Sequence, residues 1–296
     1  MDLNLVDTQK IEAEWLSNQQ ILLHVLRLDK LHPIVSGNKW FKLKLYIEEA
    51  CDLQKNTIAT FGGAWSNHII ATAFAAREAG LKSIGVIRGE KPAVLSYTLN
   101  KTMEYGMQLY FVSRDQYTRK DEIIERLSNS NEYWVDEGGY GATGAKGASE
   151  ILKTVNVSAY THIIAAVGTG TMLAGLISAS CKHQTIIGIS SMKGNHSIEK
   201  KIEALVEKGA PHISFEIRHE YHFGGYGKHP ASLLTFINDM YHTHQLPLDI
   251  IYTGKTFFAI KDLAEKKFFT PGSRLLMIHS GGLQGNKSLS PEVLAF

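Results

Sequence analysis

The sequence predicts an α/β fold of two units, each a mostly parallel β-sheet flanked by helices. Three observations predict it. Short apolar runs rich in β-branched residues alternate with helix-period patterns. Glycines stand where two of the helices should stop, at Gly80 and Gly106. The alternation breaks once, at the glycine-rich stretch EGGYGATGAKGA (137–148), and then resumes.

In order, TIATF (57–61) reads as a strand and SNHIIATAFAAREAG (66–80) as a helix. KSIGVI (82–87) is a strand, 95–106 a helix and MQLYFV (107–112) a strand, followed by a charged helix and the short strand YWV (133–135). After the glycine-rich stretch, HIIAAV (162–167) is a buried strand, 171–181 a helix, TIIGIS (185–190) a strand, 197–209 a helix and SFEI (214–217) a strand. Two helical patterns near 230–243 and 254–267 precede RLLMIHS (274–280), which is expected to close the sheet. Two such units meeting near 137–148 place a cleft between them, where open α/β sheets bind ligands.

Composition narrows the function classes. The 296 residues are 44% hydrophobic and 20% charged, enough to bury a substantial core. A net charge of +2 gives no reason to invoke nucleic acid or a membrane surface. No apolar run is long enough to span a bilayer, and the first residues lack a basic-then-apolar signal pattern. Cys51 and Cys181 are far apart and fit no metal spacing, so a reducing cytoplasm is expected. Thirteen histidines include no HExxH pair, and no metal is expected.

The motifs carry the chemistry. In VSGNKWFKLK (35–44), a Ser36-Gly37-Asn38 turn runs straight into Lys39, Trp40, Phe41 and Lys42. Asn38 as a helix cap with Lys39 solvated in the first turn is one reading. A lysine held for chemistry is the other, since a cation is disfavoured at a helix N-terminus. In AAVGTGTMLAG (165–175) an apolar strand enters Gly168-Thr169-Gly170-Thr171 and a helix opens at once, a pattern suited to a phosphate. Gly168, Gly170 and Gly175 do not complete a dinucleotide fingerprint, and the next strand ends Ile189-Ser190-Ser191 without an acid, which disfavours NAD. Residues 137–148 nearly imitate a P-loop, but Ala145 stands where that motif has lysine, which disfavours ATP. A small monophosphate cofactor that also demands a lysine remains, and pyridoxal phosphate (PLP) is the usual one. FGGAWSNHII (61–70) repeats the strand–glycine–helix form, so Ser66, Asn67 and His68 either cap a helix or present N–H groups to a carboxylate. Tyr252 and Thr253 end a short apolar stretch before a helix, and Gly281-Gly282 follows the last strand, where backbone passes close to a flat ligand.

As an ordered set, SGNKWFKLK, GGAWSNH, VGTGTMLAG, GGYGKHP (224–230), IIYTGK and IHSGG span residues 36–282. The chain resembles the 1-aminocyclopropane-1-carboxylate (ACC) deaminase and D-cysteine desulfhydrase family of PLP enzymes, in the tryptophan-synthase-β or fold type II group. The resemblance implies that Lys39 binds PLP covalently and that Lys42 helps hold the phosphate with Gly168, Thr169, Gly170 and Thr171. It implies that Asn67 meets the cofactor's ring hydroxyl and Thr253 its pyridine nitrogen. Ser66 would stand near the substrate, whose carboxylate the backbone of Ser66, Asn67 and His68 would hold, and Tyr252 and Tyr226 would be active-site tyrosines. It also implies a larger domain of residues 1–44 plus 146–296, a smaller inserted domain of 45–145, a small amino-acid substrate and a homodimer. The family's deaminases carry glutamate where this chain has Thr253, whereas its desulfhydrases carry threonine there and SNH at 66–68. A hydroxyl leaves the pyridine nitrogen neutral and the ring a weaker electron sink, which suffices when sulfide leaves. The expected reaction is therefore α,β-elimination from D-cysteine to pyruvate, ammonia and sulfide, with ACC deamination to 2-oxobutyrate and ammonia as the alternative. Trp65, Trp40 and Phe41 depart from the family pattern, as does Leu26-Arg27-Leu28-Asp29 in place of its charged stretch before the lysine motif.

Overall fold

A computed structural model describes residues 1–35, 37–210 and 214–296; Ser36 of the lysine turn lies outside them. The chain forms β1 (Thr8–Ile11), α1 (Glu14–Ser17), β2 (Leu22–Arg27), α2 (Asn38–Asp52), β3 (Thr57–Gly62), α3 (Asn67–Glu78), β4 (Lys82–Arg88), α4 (Tyr97–Glu104) and β5 (Met107–Val112). It continues through α5 (Arg114–Thr118), α6 (Lys120–Leu127), β6 (Glu132–Val135), α7 (Ala142–Ser149), β7 (His162–Val167), α8 (Thr171–Ala179) and β8 (Thr185–Ser190). The last elements are α9 (Ile198–Glu203), β9 (Ser214–Arg218), α10 (Ala231–His244), α11 (Thr253–Glu265) and β10 (Arg274–His279).

Two sheets result, a six-stranded one in the order β1-β2-β10-β7-β8-β9 and a four-stranded one in the order β5-β4-β3-β6. Every pairing is parallel except β1 with β2. The α/β expectation stands, with three corrections. β10 does not close the large sheet but lies in its middle, paired with β2 on one side and β7 on the other. The charged segment after β5 holds two helices, α5 and α6, split by Arg119 at φ −104° and ψ 61°. The amino-terminal strands β1 and β2 went unread. In β2 the apolar run is broken by His24, which bonds Tyr160 Oη at 2.9 Å, and by Arg27, which is buried because Asp29 takes its guanidinium.

Side-chain alternation along the strands separates two cores on the large sheet. Val25, Ile164, Ile187 and Met277 face α10 and α11, while Leu26, Ile163, Ile186 and Ile278 face α8. On the small sheet, α3 buries Ile69, Ala71, Ala73, Ala75 and Ala76 against the strands. The glycine-rich stretch is neither loop nor phosphate cradle: it becomes a 3₁₀ turn, Glu137–Gly139, followed by α7. Its glycines serve close packing. A Cβ at Gly147 would collide with Phe41 O of α2, and α8 in turn meets α7 at Gly175, where a Cβ would strike Ala145 O. We propose the division into residues 1–44 plus 146–296 and 45–145. Its boundaries fall within α2 and α7, so both helices belong to the two units at once. In α2, Phe41 packs in the core of the large sheet and Leu43 in that of the small one.

Candidate active site

A cavity of ≈ 600 Å³ opens between the sheets. Much of its wall lies at or just beyond the C-terminal ends of β3, β4, β6, β7, β8 and β10, the position open α/β sheets give to ligands, and the start of α2, Lys120, Tyr226 and Tyr252 complete it. Of the residues named from sequence, Lys39, Lys42, Ser66, Asn67, His68, Gly168, Thr169, Gly170, Tyr226 and Tyr252 line it. Thr171 and Thr253 are fully buried and do not.

The lysine turn is built on β10. Gly37, at φ +76°, precedes α2, and a Cβ there would collide with Ser280 O; Asn38 N donates to that same carbonyl at 3.2 Å. Asn38 is the first residue of α2, not its cap, and its side chain makes no capping bond. Lys39 is half-buried and faces the cavity, where desolvation pulls its amine down to about 8. One turn on, Lys42 is 3% exposed and donates to Gly138 O at 3.2 Å. Burial holds its amine well below the ordinary range, and the charge of Lys39 pushes the same way. Among the described residues no carboxylate pairs with either lysine.

At α3, Ser66 is the cap: its Oγ accepts from His68 N at 3.2 Å and Ile69 N at 3.3 Å. Ser66 N is used by Gly63 O at 3.0 Å. Of the three N–H groups expected to meet a carboxylate, only that of Asn67 is uncommitted among the described residues. Asn67 is oriented by a residue the sequence reading missed. Gln284 Nε2 donates to Asn67 Oδ1, which turns Asn67 Nδ2 toward Gly282 and the cavity. Gln284 Oε1 in turn accepts from Thr98 Oγ1 of α4 at 2.5 Å.

His68 is 1% exposed and has one tautomer. Thr60 Oγ1 spends its proton on Val135 O at 2.7 Å, so the 2.8 Å contact to His68 Nε2 requires Nε2–H. Nδ1 is then a buried lone pair without a partner. Burial, Lys39, Lys42 and Lys120 hold the ring well below its ordinary pKa, so it is neutral.

The 168–171 loop meets the opposite wall. Thr169 Oγ1 and Thr171 Oγ1 are 3.0 Å apart, and Gly138 is pressed against Thr169 Cγ2. Tyr252 Oη stands beside Gly168, and Tyr226 makes an edge contact with Tyr252 at 6.0 Å and 69°. Desolvation raises both phenols, Tyr252 far above its ordinary value. Lys255, buried behind them, donates to His222 O at 3.0 Å and Gly225 O at 2.9 Å, so it fixes the loop that carries Tyr226. Thr253 is placed otherwise than expected. Its hydroxyl donates to Asp249 Oδ2 at 2.6 Å and accepts from Asp249 N at 2.7 Å. Asp249 also takes the N–H groups of Ile251, Tyr252 and Thr253, so the pair starts α11 rather than facing a ligand. The hydroxyl that does line the cavity at that end is Ser280, directly after β10. Trp65 lines the cavity, while Phe41 and Trp40 pack into cores.

Residues 2–281 match the family described as pyridoxal-phosphate dependent enzyme. The chain belongs to this family. A putative 1-aminocyclopropane-1-carboxylate deaminase of Pyrococcus abyssi is 29% identical over 92% of this chain and 88% of its own. A bifunctional D-cysteine desulfhydrase/1-aminocyclopropane-1-carboxylate deaminase of Arabidopsis thaliana, mitochondrial, is 25% identical over 85% of this chain and 70% of its own. The crystal structure of an ACC deaminase homologue superposes with a TM-score of 0.80 at 26% identity, covering 95% of this chain and 90% of that one. As a PLP-dependent enzyme the chain has residues that fit the cofactor. Two lysines without acid partners line the same cavity as a glycine loop that leads into α8, and among the described residues the buried Asn38 Oδ1 and His68 Nδ1 lack partners. Lys39 would hold PLP covalently, and Lys42 with Gly168, Thr169 and Gly170 would take its phosphate. Asn67 Nδ2 would take its ring hydroxyl, and Ser280 would serve its ring nitrogen.

Proposed function

We propose that this PLP-dependent enzyme eliminates the β-substituent of a small amino acid, D-cysteine being the substrate favoured: D-cysteine and water give pyruvate, ammonia and hydrogen sulfide. The observation that carries this is that Lys39 and the start of α3 line one cavity, where desolvation pulls the lysine amine down to about 8. Bound PLP supplies an electron sink for negative charge at Cα. The protein does the rest. Asn67 N–H and the Ser66 hydroxyl receive the substrate carboxylate at the positive end of α3. The Lys39 amine, near neutral pH divided between its two forms, takes the Cα proton and can later deliver a proton to Cβ, which becomes the methyl group of pyruvate. Tyr226 and Tyr252, kept protonated by desolvation, can donate to the departing group. The choice of sulfide rests on the acids of the site. The carboxylates lining the cavity are Asp136 and Glu137, and both stand at Lys120, 2.6 Å and 3.8 Å away. The ring nitrogen of bound PLP would then meet a hydroxyl, a weaker sink that suits a good leaving group. That hydroxyl would be Ser280, because Thr253 is committed to Asp249.

A second reading, ACC deamination, is favoured by the name of the Pyrococcus relative. Steady-state rates on D-cysteine, L-cysteine, D-serine and ACC decide: D-cysteine as the best of the four supports the proposal, and ACC as the best overturns it. A cytoplasmic homodimer is proposed with this reading, supported by the free cysteines Cys51 and Cys181 and by the family resemblance. Among the described residues no helix is long and apolar enough to cross a membrane.

A further inference from the structure

Two cations that line the cavity, Arg88 and Lys201, have no work in the chemistry above, and Arg88 is the one that borders the start of α3. Arg88 ends β4, and its backbone is fixed by pairing with Val112 and by Gly89 N donating to Val112 O at 2.8 Å. Its side chain is exposed at the mouth and lines the cavity. Among the described residues no carboxylate lies within ion-pair distance of it. The nearby acids are engaged elsewhere, Asp136 and Glu137 at Lys120. The guanidinium is nevertheless held in place: its centre lies 5.6 Å from the ring of Tyr117, which is 5% exposed and locked edge-on against Phe61. Arg88 Nη2 would lie 3.9 Å from a Cβ placed on Gly63, and Gly63 O accepts from Ser66 N. An unpaired guanidinium thus lines the same cavity as the Asn67 N–H and the Ser66 hydroxyl offered to the substrate's α-carboxylate. A planar guanidinium in that state is a carboxylate receptor.

We infer that Arg88 forms a second anion subsite, and that the enzyme accepts β-substituted alanines whose substituent ends in a carboxylate or similar anion. This rests on the elimination proposed above. For S-carboxymethylcysteine the Cα–H and Cβ–S bonds break, water is consumed, and thioglycolate, pyruvate and ammonia are released. No oxidant or reductant is needed.

The test compares S-carboxymethylcysteine with its neutral isostere S-carbamoylmethylcysteine, each as D and L forms, on the holoenzyme. Wild type should favour the charged compound by about tenfold in kcat/KM, as expected for one charge-assisted hydrogen-bonded pair. High salt should shrink that ratio, since the site is open to solvent. Arg88→Gln should bring it near one, and Arg88→Lys should leave it in between. Calorimetry supplies a readout without turnover: succinate should bind wild type more tightly than succinamate, and equally in Arg88→Gln. Equal handling of the two compounds by wild type, or an undiminished preference in Arg88→Gln, overturns the subsite. If no amino acid yields a 2-oxo acid, the proposed elimination fails instead, and the succinate comparison still decides the role of Arg88.

Discussion

Lys39 shows how much one residue's surroundings decide. The same lysine on a solvated first turn would be an inert cation; enclosed by the cavity, its amine falls from the ordinary 10.5 to about 8. Capture of PLP by the apoprotein needs the neutral amine. Its rate should therefore rise with pH, about tenfold per unit below about 8, and then level. Stopped-flow absorbance checks this, and a rate flat from pH 6 to 9 contradicts it. Borohydride should fix the cofactor on Lys39, and peptide mapping that found it on Lys42, Lys44 or Lys255 would remove the central assignment. His68 gives a second test. Nitrogen-15 spectra should show Nε2 protonated and Nδ1 bare, with no titration between pH 5 and 8, because burial and three lysines oppose a positive ring.

Among the elements, the turn before α2 and the end of β10 form one piece. Gly37→Ala must both strain φ +76° and push Ser280 O away. It should cost about 1–3 kcal/mol in thermal unfolding and release PLP more readily. The two loop glycines separate in the same way. Gly170 has φ +85°, and a Cβ there would stand 2.7 Å from Ile202 Cγ1, so Gly170→Val should lower both PLP retention and melting temperature. At Gly168 the nearest atoms a Cβ would meet belong to the Tyr252 ring, Oη at 3.3 Å first, so Gly168→Ala should weaken PLP retention with a smaller loss of stability. Equal PLP retention in both variants and wild type would make the loop a structural turn only. The strand–glycine–helix units were legible because the chain must repeat the same three signals wherever a sheet ends at a ligand. Gln284 was not, because it acts through a partner that only the fold brings near, Asn67, 217 residues away; Asp249 acts locally, through the amides of its own turn, and an aspartate four residues before Thr253 was the signal for it. Thr253 stands otherwise than expected because its hydroxyl is claimed by Asp249, four residues earlier in the same turn.

At the scale of the whole molecule, the cavity gathers positive charge that a bound anion relieves. In the apoprotein, folding forces Lys39 and Lys42 to bind fewer protons than the unfolded chain does. For Lys39 that penalty is full below about 8 and disappears as pH approaches 10.5. Stability of the apoprotein should therefore climb with pH across that window. A phosphate between the lysines removes the penalty, so stripping PLP should lower the melting temperature most near neutral pH and least near pH 10. A gap between holo- and apoprotein that widened with pH would contradict this. The two-sheet plan was legible from alternating patterns, whereas strand order was not. Every buried strand reads alike, and periodicity carries no information about which neighbour it will meet.

The central place of β10 bears on how the molecule is made. Leu22 pairs with Arg274, 252 positions further along the chain. On a ribosome, the four strands of the small sheet, all within residues 57–135, emerge together and can pair early. The large sheet cannot. Until β10 emerges it exists as the β1–β2 ribbon and a separate β7–β8–β9 ribbon, each with a naked inner edge. The turn before Lys39 has nothing to rest on until Ser280 arrives, although the lysine itself was synthesised 241 residues earlier. The growing chain thus lacks the support for its lysine turn until β10 arrives, and that strand completes both the sheet and the site.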